Sequence, residues 1–583
     1  MNTSKQFRAV CKHGAPGAYR EPTSQDNNKK DTKMLKGTMQ QTPLMISGIL
    51  THAAAAHGDR EIVSRLVDEP QWRYDYAGLA RRAGQAAAML RSLGVKPGDL
   101  VSSMAWNTHR HFELFFAVPG IGAVLHTANP RLSDEQIVYT LNHAGSGVLL
   151  FDRSFLTVVE RVRPRLEHLH TFIMLSDAQR TEPGEVGALS YETLIAKEQP
   201  ITDWPHFDEN AGAMLCYTSG TTGNPKGVVY SHRSVVLHAM AAGLTGAFGF
   251  SAFDCIMPCS SLYHATAWGV PFTAAISGSK FVLPCDKMDG ASLQELIQAE
   301  GVTFSGGVPT IWTMYLNYLE RTGEGTGELK CLVIAGSAVP RALAEKFETR
   351  YGVSVRQLWG MTETSPLGVV ATPTPKLAAM GEAATNEAIW TRQGRLQFGI
   401  ELKIVDEAGN ELPHDGTSSG ALLVRGPWVV ERYFRSDTSA LDEDGWFDTG
   451  DIATLDPNGY MRITDRSKDV IKSGGEWISS IDIENIAVAC PGVRIAAVVG
   501  VTHEKWEERP VLIIEPHDDT EICIETVLAY LETQIVKWWM PDAVIIDAVP
   551  LTATGKIDKK ALRDRYRSYL VDMPASETSA ASI

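Results

Sequence analysis

From Pro43 onward, stretches with helical periodicity alternate with short runs rich in β-branched residues, and this alternation narrows the fold more than any other feature. A helix is expected over 75–93, a strand over 147–151, further helices, and a strand over 332–335. Strands separated by helical crossovers pair in parallel, so the expected class is α/β, a large N-terminal domain of parallel sheets. Over about 394–464 the texture changes to hairpin-like segments punctuated by Glu407-Ala408-Gly409-Asn410 and Asp456-Pro457-Asn458-Gly459, which reads as a small β-rich subdomain of that domain. With 583 residues the chain exceeds what one core accommodates. The second unit is expected over 465–570, where strands at 496–499 and 511–514 and a helix at 523–535 suffice for a small α+β domain. The large domain then spans 34–464. Residues 1–33 and 571–583 are polar and aperiodic and read as disordered ends. Residues 1–33 are an extension ahead of a start near Met34 or, given Lys5, Arg8, Lys12 and Arg20, a transit peptide.

Composition removes several function classes. Against 54 Lys and Arg stand 69 Asp and Glu, a net charge of −15, which leaves no bulk positive surface for a polynucleotide. The longest apolar run, 114–125, contains Pro119-Gly120 and falls short of the ~18 to 20 residues that cross a bilayer, so no transmembrane segment is expected. The expected location is cytoplasmic, or mitochondrial if 1–33 is a transit peptide. The 8 cysteines show no C-x-x-C spacing and read as reduced, mostly buried thiols.

The richest chemistry lies in Tyr217-Thr218-Ser219-Gly220-Thr221-Thr222-Gly223-Asn224-Pro225-Lys226-Gly227, which follows an apolar run and precedes an expected helix. Its glycines let the backbone approach an anion, its hydroxyls and amides donate hydrogen bonds, and Lys226 supplies the charge that a polyphosphate needs. A Walker loop would require Gly at the place of Pro225 and Ser or Thr after the lysine, where Gly227 stands. A P-loop NTPase is therefore disfavoured.

Further segments occur in order: Gly360-Met361-Thr362-Glu363-Thr364, Trp446-Phe447-Asp448-Thr449-Gly450-Asp451, Asp465-Arg466-Ser467-Lys468-Asp469 and Thr552-Ala553-Thr554-Gly555-Lys556. Together with the loop, over about 43–567, the chain resembles the adenylate-forming superfamily of acyl-CoA synthetases, adenylation domains and luciferases. The resemblance implies ATP, Mg²⁺ and CoA as cofactor and co-substrates and assigns roles by position. Thr218, Ser219, Gly220, Thr221, Thr222 and Lys226 would hold phosphates. Gly336, Ser337, Ala338, Trp359, Gly360, Met361 and Thr362 would form the nucleotide pocket. Asp451 would grip the ribose and Arg466 the ribose or phosphate. Glu363 would hold Mg²⁺, with Thr218 as a further candidate ligand. Lys556 would be the catalytic cation, carried by a small domain that turns about Lys468. Ser473, Gly474, Gly475, Glu476, Trp477 and Trp506 would contact CoA. Trp506-Glu507-Glu508 departs from the family's Trp-Gly-Glu, and Trp359 stands where relatives usually have Tyr, at the expected cost of the phenol's hydrogen bond.

His264, Trp268, Gly269, Val308, Pro309 and Trp359 are the expected acyl pocket, with His264 orienting the carboxylate. No Asp occurs over 263–266 to pair with a substrate ammonium, so an acid without an α-amine is expected. The indoles limit chain length. The segments around His264, Trp268 and 472–480 are similar to those of bacterial short- and medium-chain acyl-CoA ligases, including the 3-methylmercaptopropionate ligases. The expected activity is therefore AMP-forming acyl-CoA ligation, with 3-(methylthio)propionate the preferred acid, since thioethers pack well on aromatic rings. A medium-chain ligase without thioether preference, an enzyme loading a carrier protein, and a catalytically silent nucleotide-binding protein stay open as alternatives. A homodimer is compatible with the sequence.

Overall fold

The computed structural model describes residues 34–218, 224–474, 476–503, 505–517, 520–552 and 555–572. Strands buried on both faces read as continuous apolar runs, and Val124–Thr127 and Val148–Phe151 are buried throughout. They sit in a 7-stranded sheet ordered Leu189–Ser190, Thr171–Met174, Val148–Phe151, Leu100–Met104, Val124–Thr127, Gly212–Tyr217 and Gly227–Ser231. Every pairing in it is parallel except the last, an antiparallel hairpin. The apolar run near 114–125 becomes the helix His109–Gly120, buried along its whole length and capped by Thr108, whose hydroxyl accepts from the His111 amide. Among the described residues no helix is long and apolar enough to cross a membrane.

A second, 13-stranded sheet combines two textures. Its parallel half, from Glu61–Ser64 through Lys280–Leu283, Cys255–Pro258, Phe304–Gly307 and Cys331–Ala335 to Ser354–Trp359, is crossed over by helices. Its antiparallel half runs on through Val369–Val370 and Gly394–Leu396 to Tyr460–Arg466, Phe447–Leu455, Ser419–Arg425 and Glu401–Val405. The hairpin-rich stretch is thus joined edge-on to the parallel sheet. Its turns form for the expected reason: Asp406 accepts from the Ala408 and Asn410 amides, and Asp456 from those of Asn458 and Tyr460.

Past Arg466 the chain enters a smaller C-terminal domain built on a 5-stranded sheet, whose central pair, Val493–His503 and Glu507–Pro516, is antiparallel. The helices Ser480–Ala489 and Ile524–Glu532 cover one face, burying Ile483, Ala487, Val527 and Leu531. Near the N-terminus the helix Tyr76–Ser92 starts where expected, its N-cap Asp75 accepting from the Gly78 amide. Six described cysteines are buried and Cys523 is exposed, all unpaired by disulfides.

Candidate active site

The segment expected to bind phosphate leaves the strand Gly212–Tyr217 and returns as the strand Gly227–Ser231; the helix His232–Ala242 begins only after that. This corrects the expectation that a helix follows the loop directly: Val228 and Val229 favour extended backbone, and helical capping starts at Ser231, which accepts from the Ser234 amide. Thr218 closes the root of the loop. Its amide donates to the Lys226 carbonyl at 2.9 Å, and its hydroxyl accepts from the Lys226 amide at 3.1 Å. Ser219, Gly220, Thr221 and Thr222 lie outside the described residues. The Lys226 ammonium sits 4.6 Å from the centre of the Tyr433 ring, a cation–π contact that holds it over the cleft.

Glu363 lies in the short turn Thr362–Thr364, with Thr362 fixed by the Tyr230 hydroxyl, which donates to its carbonyl at 2.7 Å. The Tyr433 hydroxyl donates to Glu363 Oε1 at 2.9 Å. Burial raises the carboxyl's pKa, and the Tyr433 hydroxyl and the charges of Arg466 and Lys226 oppose that rise. Upstream, Gly360 is obligatory: a Cβ there would stand 1.5 Å from the Pro366 carbonyl oxygen. Met361 and Thr362 follow it, half-buried and buried.

Asp451 is almost wholly buried between two donors. The Trp359 indole Nε1 donates to its Oδ2 at 2.8 Å, and Arg466 Nε stands 3.3 Å from its Oδ1. The indole, standing where relatives usually have a phenol, thus makes a hydrogen bond of its own, to Asp451, the carboxylate expected to grip the ribose. Asp451 and Arg466 face one another in register on adjacent strands, which is why residues 15 apart in sequence meet here.

Lys556 comes from the small domain and sits in the same cleft. The turn that carries it is closed by the Thr552 amide donating to the Lys556 carbonyl and by the isolated bridge between Leu551 and Ile557; Ala553 and Thr554 lie outside the described residues. Gly336 adopts φ +93°, and a Cβ on it would lie 3.7 Å from Lys556 Cε and 3.2 Å from Val308 Cγ1. Ser337 next to it is exposed and Ala338 half-buried. Desolvation first, then the charge of Arg466, pushes the Lys556 ammonium down to about 8, while Asp451 and Glu363 pull the other way. His264 feels the same cation: burial, then Lys556, pushes its imidazole down to about 3, so it stays neutral. Lys556, Gly336, Val308, His264, Glu363, Asp451 and Arg466 thus surround one space.

Next to it, a cleft lined by His126, Asn129, Tyr217, Thr218, Tyr263 and His264 separates the loop's root from the acyl segment. That segment has an unusual backbone. Ala265, Thr266, Ala267, Trp268 and Gly269 all have positive φ, between 39° and 70°, one left-handed turn that carries the Trp268 indole toward Gly306. Sequence reasoning missed the residue that anchors it. Asn107, buried, donates to the carbonyls of Pro258 and Ser260 and accepts from the Leu262 amide. It missed Tyr433 and Tyr230 as well, because their partners are remote in sequence and no local pattern marks them. Pro309 opens the helix Pro309–Thr322 beside Val308.

The remaining candidates pack within the small domain. Ser473 is fully buried and accepts from Arg509 Nη1, Gly474 packs on Trp506, and Trp506 stands edge-on to Trp538 with its rings centred 4.9 Å apart. Trp477 is partly exposed beneath the Lys472 ammonium. Gly475 lies outside the described residues, and Glu476 is in the strand Glu476–Ile478. Lys468 follows the end of the strand Tyr460–Arg466, between the two sheets.

Comparison with known proteins gives the family and the fold. Residues 50–434 match the model of the AMP-binding enzyme family, and 482–556 that of the AMP-binding enzyme C-terminal domain. The chain is 45% identical to a 3-methylmercaptopropionyl-CoA ligase of Ruegeria lacuscaerulensis over 92% of its own length and 99% of that protein. It is 42% identical to a medium-chain-fatty-acid–CoA ligase of Ectopseudomonas oleovorans over 93% and 99%. The crystal structure of the anthranilate CoA ligase AuaEII with anthranoyl-AMP shares the fold, with a TM-score of 0.81 at 23% identity, covering 91% of this chain and 99% of that one.

Proposed function

The chain belongs to the AMP-binding enzyme family, and from that premise we propose that it is an AMP-forming acyl-CoA ligase whose preferred acid is 3-(methylthio)propionate. In the first half-reaction a carboxylate oxygen attacks the α-phosphorus of ATP and pyrophosphate leaves. In the second, the CoA thiol attacks the acyl carbonyl and AMP leaves. One observation carries the reading: a cation from the small domain, Lys556, enters the cleft that holds Glu363, Asp451 and Arg466.

Bringing a carboxylate to a triphosphate joins two anions, and Lys556, Lys226 and Arg466 supply the opposing charge where it grows. Neutral His264 donates a hydrogen bond to the acid without adding a charge. Mg²⁺ suits the donor set: it takes one or two carboxylates alongside phosphate oxygens, and Glu363 brings one buried carboxylate, held by the Tyr433 hydroxyl, to the cleft. Bound there, it would neutralise phosphate charge. Lys468 is the assigned hinge, and Ser473, Gly474, Gly475, Glu476, Trp477 and Trp506 the assigned CoA contacts, exchanged for Lys556 in the second half-reaction. Cytoplasmic residence and a homodimer complete the proposal.

AMP release across C2 to C12 acids, their methylthio analogues and aromatic acids, with CoA present and withheld, tests it. The highest kcat/KM is expected for 3-(methylthio)propionate, with acids one methylene longer or shorter reduced by about 10- to 200-fold at most. Preference for an aromatic acid would overturn the substrate, and AMP release without CoA consumption would overturn the ligase in favour of carrier loading.

A further inference from the structure

Three contacts tie the large sheet to the first turn of one small-domain helix. Asp465, at 1% exposure, lies on the strand Tyr460–Arg466, and its Oδ2 accepts from both the amide and the hydroxyl of Ser480 at 2.7 Å. Ser479 Oγ donates to the Thr464 carbonyl at 2.5 Å, and Arg462 Nη2 to Asp482 Oδ1 at 2.5 Å. Ser479 and Ser480 open the helix Ser480–Ala489, which packs on the small domain's strand Val493–His503. The first amides of a helix have no intrahelical acceptor, so a carboxylate on the last strand of the large sheet, at the position where the sequence starts the second unit, completes the capping of a small-domain helix.

The contact continues toward the cleft. Lys559 Nζ donates to Ser480 Oγ at 2.6 Å and pairs with Glu484 at 2.8 Å. Lys559 opens the helix Lys559–Tyr566 directly after the turn that carries Lys556. Ser480 Oγ thus accepts from Lys559 and donates to Asp465, one donor chain from the large sheet to the Lys556 loop.

We propose that Asp465 is a positioning residue for adenylate formation: by holding Ser480, and through it Lys559, it latches the small domain in the orientation that puts Lys556 in the nucleotide cleft. This rests on the ligase reading above. The latch lies three residues before Lys468, on the side that stays with the large sheet. Turning about Lys468 breaks the Asp465–Ser480 contact, so the latch favours the first half-reaction and must open for the second.

The test separates the half-reactions. ATP–pyrophosphate exchange with the acid, CoA withheld, reads the first; thioester formation from synthetic acyl-adenylate and CoA reads the second. For Asp465→Ala, exchange is expected to fall about tenfold or more, the effect of leaving the buried Ser480 amide unpaired, with thioester formation unchanged or faster. Ser480→Ala keeps the helix amide on Asp465 and breaks only the relay, so it must split the rates in the same direction should Asp465→Ala not fold. Equal loss of both half-reactions, or loss of neither, overturns the latch. Exchange absent from the unaltered enzyme overturns the ligase reading and the latch with it.

Discussion

At the scale of the residue, the role proposed for Lys556 sets opposed demands: it must enter a space too dry for a free ammonium and stay charged once there. Burial and Arg466 lower its pKa to about 8, and Asp451 and Glu363 limit the fall. The protonated form is the one that opposes phosphate charge, so kcat/KM for adenylation is expected to decline as pH rises through about 8, and pyrophosphate exchange between pH 6.5 and 9.5 measures it. Lys556→Arg removes that decline, whatever its absolute rate, because a guanidinium does not titrate there. A flat profile for the unaltered enzyme would contradict this account. The lysine, Glu363 and Asp451 were legible because each lies in a short segment of distinctive residues. Tyr433 was not, and Trp359 was named without its bond to Asp451, since the bonds Trp359 makes to Asp451 and Tyr433 to Glu363 span 92 and 70 residues.

At the scale of the element, the segment 265–269, expected to line the acyl pocket, shows how a local conformation is maintained against its own preference. A left-handed backbone costs roughly 1–2 kcal/mol per non-glycine residue, and Ala265 to Trp268 are four in succession. The surroundings must impose it, and Asn107 does so upstream by satisfying two carbonyls and an amide of 258–262. Asn107→Ala leaves those groups buried without partners. It is expected to lower stability by about 3 kcal/mol in urea unfolding and to raise KM for the acid more than KM for ATP. Equal changes in both KM values would show that Asn107 supports the domain rather than this segment. Nothing in the order of residues 263–269 announces a left-handed turn, because its cause lies in another element.

At the scale of the molecule, several histidines are buried neutral. Burial pushes His126 and His238 down to about 3 and His111 to about 4. Between about pH 3 and 6.5 the unfolded chain binds a proton at each that the native chain refuses, so their contribution to stability rises with pH across that window and is lost as pH falls. Asp152 and Glu484, both raised to about 7 by burial, act in the opposite sense as pH climbs toward 7. A variant isolates one contribution: the gap in thermal midpoint between the unaltered protein and His126→Gln is expected to narrow from pH 6.5 to pH 4. A gap independent of pH would mean that His126 titrates normally.

The residue order alone determined the α/β class and the small C-terminal domain and marked the short segments that hold the candidate site residues, because hydrophobic periodicity, turn chemistry and local motifs act over a few residues at a time. Only the tertiary structure decided that the hairpins extend the large sheet, that the Trp359 indole donates to Asp451, that the turn 265–269 is left-handed, and that Asp465 on the large sheet caps the helix Ser480–Ala489. Each of those depends on a hydrogen bond or a contact between groups far apart in the chain, where no local free energy favours one partner over another until packing brings the two together.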